Sequence, residues 1–98
     1  MEYEIVKIEG NLIFTDPISK QAIKKAINSN EKNIEIDMSR VESIDSMGIN
    51  LIVRLALAIK ERKGHLKIVG VNKVIFDVME ICSLNRIASI ISYEKSSA

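Results

Sequence analysis

Strand-like and helix-like apolar patterns alternate along the chain, and this alternation limits the possible folds more than any other feature. Four segments show the alternating or continuous apolar runs typical of strands: 3–14, 33–38, 65–71 and 88–93. Three segments between them repeat apolar residues every three or four positions, as helices do: 15–30, 46–63 and 73–83. The order β-α-β-α-β-α-β predicts an α/β fold. We expect a four-stranded, mainly parallel or mixed sheet covered by three to four helices.

Capping residues mark the ends of the predicted helices. Thr15 or Asp16 can cap the first helix ahead of Pro17, which suits the first helical position. Asn72 can cap the third helix, and Gly64 suits a left-handed C-cap at the end of the second. The predicted apolar face of the first helix consists of Ile18, Ala22, Ile23, Ala26 and Ile27.

Length, charge and cysteine content narrow the class of protein. The 98 residues predict one domain over 1–98, with a polar tail at 94–98 that is expected to fray. The net charge of +1 and the few aromatic residues give no case for nucleic-acid binding. No apolar run is long enough to span a bilayer, and no signal peptide is visible, so a cytoplasmic location is expected. The single cysteine, Cys82, fits a reducing compartment and a core position.

Residue constellations for catalysis are missing from the sequence. His65 is the only histidine and has no second histidine or cysteine partner, so neither a zinc site nor a Ser-His-Asp triad is expected. Glycine-rich phosphate-binding motifs are also missing. We therefore expect no enzyme, metal or cofactor. The pair Asp45-Ser46 remains, at a strand-to-helix junction where parallel sheets commonly carry function. By residue type alone, the pair is a helix cap.

The second helix has a core face and a polar face with apolar neighbours. Advancing by 100° per residue from Ser46 gathers the core face: Gly48, Ile49, Ile52, Leu55, Ala56 and Ile59. The opposite face holds Ser46, Asn50, Arg54 and Glu61. Met47 and Leu57 project near this polar strip, with Leu51 and Ala58 at its shoulder. Such a patch is a candidate docking surface, although Leu57 could equally be covered by another element of the chain.

Four short motifs occur along this chain in the same order as the corresponding motifs of one protein family. The central one is Asp45-Ser46-Met47-Gly48, where the family has Asp-Ser-Ser/Thr-Gly at the start of a helix. The other counterparts are Asp37-Met38-Ser39, then Lys63-Gly64 with Leu66, Ile68 and Gly70, and finally Ile81-Cys82-Ser83-Leu84. The match is close over 34–87 and loose in the N-terminal third. The chain therefore resembles the bacterial STAS-domain anti-sigma factor antagonists.

The resemblance implies a phosphorylation switch. In that family, an anti-sigma factor that is also an ATP-dependent serine kinase phosphorylates the first serine of the motif, and a PP2C-type phosphatase removes the phosphate. The unphosphorylated antagonist binds the anti-sigma factor and frees the sigma factor. Carried over to this chain, the phosphoacceptor is Ser46; Ser43 is the nearest rival but precedes the motif. The docking patch and the motif together give the expected partner-binding residues, which are Asp45, Ser46, Met47, Asn50, Arg54 and Leu57. Asp45 and Gly48 are expected to be the helix-cap and motif residues.

The chain departs from the family pattern at several positions. Met47 replaces a second hydroxyl residue, Asn50 replaces a frequent glycine, and Ile13 stands where an acid is common. The C-terminal helix of many members is expected to be missing or reduced to 94–98. These departures keep a second hypothesis open: a STAS scaffold without a switch, or a regulatory subunit of a stress-signalling complex or of an anion or lipid transport system. The sequence does not fix the oligomeric state.

Overall fold

The computed structural model describes residues 2–92, in which four strands alternate with three α-helices. In chain order these are β1 (Glu4–Lys7), α1 (Pro17–Ile27), β2 (Asn33–Asp37), α2 (Ser46–Glu61), β3 (His65–Val71), α3 (Lys73–Ile81) and β4 (Ser89–Ser92), with a 3₁₀ turn at Leu84–Arg86. The predicted α/β class and the order β-α-β-α-β-α-β are confirmed. Position 93 of the predicted last strand and the predicted tail at 94–98 lie outside the described residues.

The four strands form one parallel sheet in the order β1-β2-β3-β4. One row of paired residues crosses the sheet through Val6, Ile36, Ile68 and Ile90. Right-handed crossovers between successive neighbouring strands place the connecting helices on one face. Burial agrees with this arrangement, because Ile36 is fully buried whereas Glu35 on the opposite face forms an ion pair with Lys67.

The helices and the covered face of the sheet share one apolar core. Its members include Ile34, Ile36 and Ile68 from the sheet and Ile52, Leu55 and Met79 from the helices. On α1, however, the predicted position of Ile18 is wrong, because this side chain is 69% exposed and Ser19 is buried instead. The buried residues of α1 are Ser19, Ile23 and Ala26. Ile18 lies roughly 100° away from the centre of that face on the helical wheel.

The first strand is much shorter than the predicted 3–14. It ends at Lys7, and Leu12 makes a separate parallel bridge with Ile44. Gly10 turns the chain between them with a φ of 124°, in the region that favours glycine. The turn matters for function because it carries the segment around Leu12 to the start of α2.

The end of α2 differs from the prediction of a left-handed glycine cap. The helix ends at Glu61, and Lys63 adopts the positive φ of 60° instead of Gly64. Gly64 is required for a different reason, since a Cβ atom there would lie 1.7 Å from the carbonyl oxygen of Lys32. That same carbonyl accepts a hydrogen bond from the His65 amide at 3.0 Å. Gly64 therefore permits the close approach that starts β3.

The predicted core position of Cys82 is wrong, because its side chain is exposed. α3 ends at Ile81, and Ser83 then adopts a left-handed conformation with a φ of 63°. The chain turns away before Cys82 can join the buried positions Ile75 and Met79. Leu84 in the following 3₁₀ turn is fully buried.

Candidate partner-binding site

Asp45 caps α2, and its carboxylate holds two segments together. One oxygen, Oδ1, accepts a hydrogen bond from the Gly48 amide at 3.0 Å, as an N-cap residue does. The other, Oδ2, accepts a hydrogen bond at 2.8 Å from the amide of Phe14, which is 31 residues away in sequence. The cap therefore also ties the segment after β1 to the start of α2.

Ser46 is the first residue of α2, and it does not cap the helix. Its side chain is exposed, and its hydroxyl makes no hydrogen bond with any other residue in 2–92. The sequence predicts Asp45 as the cap residue of the pair Asp45-Ser46, and Asp45 is the N-cap of α2 in the structure. Since Asp45 takes that role, the fold does not require the Ser46 hydroxyl, which lies open to a partner or an enzyme.

Hydrogen bonds to Asp45 hold the pKa of its carboxyl below the ordinary value of 3.8. The main causes are the backbone amides of Phe14 and then Gly48, which both favour the charged form. The cap and the attachment of the Phe14 segment therefore both depend on an ionised Asp45.

This dependence predicts how an Asp45→Asn variant responds to acid. A carboxyl with a lowered folded-state pKa contributes stability above its unfolded value and loses it as the pH falls through the lowered pKa. We expect the variant to be less stable than the wild type at pH 7, and the difference to shrink below about pH 4. Urea unfolding at several pH values measures this. A Ser46→Ala control, which adds or removes no titrating group, should keep a constant difference, and a pH-independent deficit for Asp45→Asn would contradict the assignment.

The loop between β1 and α1 is fixed against the loop before α2 by several hydrogen bonds. Asn11 Oδ1 accepts from the amides of Glu42 at 2.9 Å and Ser43 at 3.0 Å. The Leu12 amide donates to the Ser43 carbonyl, and the Asp45 amide donates to the Leu12 carbonyl. The two loops therefore form one surface. The docking patch predicted from the sequence included residues near the second loop only.

Gly48 is required by the close approach of this loop. A Cβ atom at position 48 would lie 2.2 Å from the carbonyl oxygen of Leu12 and 2.8 Å from Ile44 Cγ1. Real Cβ atoms do not approach that closely, so the backbone would have to move. The glycine of the motif therefore serves the packing of the Leu12 segment over the helix start.

Apolar side chains are exposed on α2 and on the segment whose amide binds Asp45. Met47 is 37% exposed and Leu57 is 50% exposed. Within residues 2–92, therefore, no other element buries the Leu57 side chain. Phe14, whose amide binds Asp45, has a side chain that is 62% exposed. The ring of Phe14 lies 4.6 Å from the Lys20 ammonium. Phe14 therefore extends the apolar fringe beyond the helix, and sequence periodicity had given no signal for it.

The polar members of the predicted patch are also exposed. Asn50 and Arg54 lie on the solvent side of α2, next to Ser46 on the helical wheel. In contrast, Leu51, which the wheel placed at the shoulder of the polar strip, is 1% exposed and belongs to the core. The surface formed by Ser46, Met47, Asn50, Arg54 and Leu57, together with Phe14, is called the α2 surface below.

The motif Asp37-Met38-Ser39 forms a turn at the end of β2. Asp37 Oδ1 accepts a hydrogen bond from the Ser39 amide at 2.9 Å, and this bond is the main cause of the lowered pKa of Asp37. Gly70 in β3 has a φ of 76°, and a Cβ atom there would lie 2.9 Å from Ser39 Cβ. The Asp37 turn therefore packs against β3 and is structural.

A metal-binding cluster and a membrane-spanning helix are two other features relevant to function in residues 2–92. These residues hold no group of three or more His, Cys, Asp or Glu side chains that could bind a metal ion. In the same part of the chain, the helices are too short or too polar for a membrane crossing. His65 begins β3 with an exposed side chain.

The fold and the motif together are those of one family, and a sequence comparison agrees. The family model described as "Mlab, STAS domain" matches residues 6–92. The chain belongs to the STAS domain family. No curated protein matches the sequence significantly.

Solved structures show the same fold. A proposed anti-sigma factor antagonist from Thermotoga maritima is 25% identical, with a TM-score of 0.75 over 89% of this chain and 78% of that one. An anti-sigma-factor antagonist (STAS) domain protein from Planctomyces limnophilus is 19% identical, with a TM-score of 0.74 over 95% and 88%. A sulfate transporter family protein from Wolinella succinogenes is 18% identical, with a TM-score of 0.76 over 91% and 75%. The last two likenesses concern the fold alone.

Proposed function

We propose that this protein is an anti-sigma factor antagonist that binds an anti-sigma factor through the α2 surface and is switched off by phosphorylation of Ser46. The observation that carries the proposal is the exposed Ser46 hydroxyl, which the fold does not use, at the start of a helix that also exposes Met47 and Leu57. The likeness to the Thermotoga maritima protein supports this reading. The partner would be an anti-sigma factor with serine kinase activity, and a PP2C-type phosphatase would restore the hydroxyl. The antagonist itself would not be an enzyme.

The neutral state of Ser46 suits binding. A serine hydroxyl is small and uncharged, so a partner can cover it together with Met47, Leu57 and Phe14 at low desolvation cost. Met47 has a flexible thioether side chain, which adapts to the shape of a partner. Because Asp45 carries the cap, covering Ser46 removes no hydrogen bond from the antagonist.

A phosphate at Ser46 would oppose that complex without unfolding the domain. It adds about −1.5 to −2 charges at pH 7. The start of α2 tolerates an anion, since the helix dipole is positive there. In the complex, however, the phosphate would be buried against apolar groups, next to the ionised Asp45. Burial and like-charge repulsion therefore weaken binding selectively.

A STAS module that binds its partner without a switch is the second candidate. Met47 keeps this candidate open, because it is a departure from the family motif at the position next to the phosphoacceptor. Such a module could serve a stress-signalling complex or a transport system as a scaffold. It would use the same α2 surface, so only the chemistry at Ser46 separates the two candidates.

Phosphate mapping tests the switch directly. The protein is incubated with ATP and, one at a time, with the purified anti-sigma kinases of its host, and the modified residue is located by mass spectrometry. We expect one phosphate at Ser46 and none on a Ser46→Ala variant. Ser43 is also exposed, so a Ser43→Ala variant is the matched control and should be phosphorylated normally. Phosphate on Ser43 alone would refute the assignment, and no phosphate with any kinase, despite complex formation, would favour the scaffold.

A further inference from the structure

A cavity of about 310 Å³ lies at the opposite end of α2 from Ser46. It is bounded by the last turn of α2, the beginning of β3 and the segment from the 3₁₀ turn into β4. Its floor is formed by the buried side chains of Ala56, Ile59 and Leu66. The cavity therefore opens onto the apolar core and is distinct from the α2 surface.

Basic side chains line the mouth of this cavity. Lys60, His65 and Arg86 contribute to its wall, and none of its lining residues is Asp or Glu. Lys60 and Arg86 form no ion pair with any acidic group in residues 2–92, whereas Arg40, Lys67 and Lys73 each have an acidic partner. Two cations and an imidazole thus converge on one cavity without a counter-charge from the described chain.

We propose that this cavity binds a small organic anion, with a phosphate monoester or carboxylate head and a short apolar body. The planar guanidinium of Arg86 can donate two parallel hydrogen bonds to such a head, and the Lys60 ammonium adds a point charge. Asn85 and Ser89, also in the wall, supply further hydrogen-bonding groups. The partly buried side chains of Ile87 and Ala88, which also line the cavity, receive the apolar body.

Shape and charge together select this class of ligand. Ligand cavities in proteins commonly measure about 300–1,000 Å³, so this one suits a ligand at the small end of the range. Its apolar floor is of no use to a bare inorganic ion, and its basic mouth disfavours a neutral or cationic molecule. The proposed binding needs neither Ser46 nor a phosphorylation switch.

Phenyl phosphate is a suitable probe, titrated at constant ionic strength into ¹⁵N-labelled protein. We expect saturable chemical-shift changes in 59–66 and 85–89, weaker binding of inorganic phosphate at the same residues, and none of benzyl alcohol. Comparing the affinity for benzoate with the affinity for phenyl phosphate shows whether the site prefers a carboxylate or a phosphate head. A Lys60→Gln, Arg86→Gln double variant should bind phenyl phosphate about tenfold or more weakly, since hydrogen bonds between charged groups are lost.

Lys24→Gln is the matched control, because Lys24 is also a lysine in the last turn of a helix but lies outside the cavity. It should bind phenyl phosphate as the wild type does, and so should Ser46→Ala. Shift changes scattered over the surface lysines, or equal affinity in the double variant, would overturn the proposal. If the amide spectrum of the double variant is unchanged away from the cavity, the variant is folded, and its weaker binding is due to the lost side chains.

Discussion

A Ser46→Asp variant is expected to bind its anti-sigma factor on the order of a hundredfold more weakly than the wild type. The carboxylate would bring a charge into the α2 surface, beside the ionised Asp45. A buried like-charge contact at an interface costs several kcal/mol, and each 1.4 kcal/mol is a factor of ten in Kd. Ser46→Ala should bind nearly as well as the wild type, since the Ser46 hydroxyl has no partner in residues 2–92. Isothermal titration calorimetry with the purified anti-sigma factor measures both.

The control for Ser46→Asp has to add the same charge elsewhere. Asn30 is exposed in the connection between α1 and β2, which leads to the amino end of the strands and away from Ser46. Asn30→Asp should therefore leave binding within about twofold, because exposed charges far from an interface are screened. Thermal unfolding of Ser46→Asp should match the wild type, as the helix start tolerates an anion. Tight binding of Ser46→Asp would refute the switch.

A Gly48→Ala variant is expected to be destabilised, although alanine is the better helix former by about 1 kcal/mol. The added Cβ would lie 2.2 Å from the Leu12 carbonyl oxygen, which also accepts the Asp45 amide. Relieving the clash means moving backbone, and overpacking of this kind costs about 1–3 kcal/mol or more. The loop carrying Phe14 would move with Leu12. We therefore expect a lower free energy of unfolding by urea and weaker partner binding together.

Asn50→Ala is the matched stability control on the same helix. It changes an exposed position of α2 to alanine, so it should leave stability unchanged or raise it by a few tenths of a kcal/mol. If Gly48→Ala were as stable as Asn50→Ala, the Leu12 segment would move away from the new Cβ atom at no cost in free energy, and the prediction would be wrong. The sign of the effect is thus decided by the contact with Leu12 and not by helix propensity.

The order of elements was predictable because apolar periodicity reflects burial directly. The strand His65–Val71 and the Asn72 cap of α3 follow from such local patterns and are found as predicted. Residues at the margins of an apolar face were not predictable. Ile18 and Leu51 lie at the margins of apolar arcs, and a helical wheel cannot say on which side the neighbouring elements pack. Ile18 is exposed and Leu51 is buried as a result.

The candidate site was predictable only where it is local in sequence. Ser46 and the Asp45 cap at the start of α2 could be located, because both belong to one short contiguous motif and Asp is a common cap. Phe14 was missed because it reaches the site through a hydrogen bond that spans 31 residues. The binding of Asn11 to the amides of Glu42 and Ser43 depends on the tertiary fold, so no local pattern indicates it.

The spatial order of the strands, which repeats their order along the chain, has a consequence for synthesis. Each strand pairs with the one made just before it, as Ile34 does with Leu66 and Ile68 with Ile90. A nascent chain can therefore add one strand-and-helix unit at a time to the edge already formed, without waiting for a distant partner. The open edge of the growing sheet is covered by the next segment to leave the ribosome, which shortens the time during which it could pair with another chain.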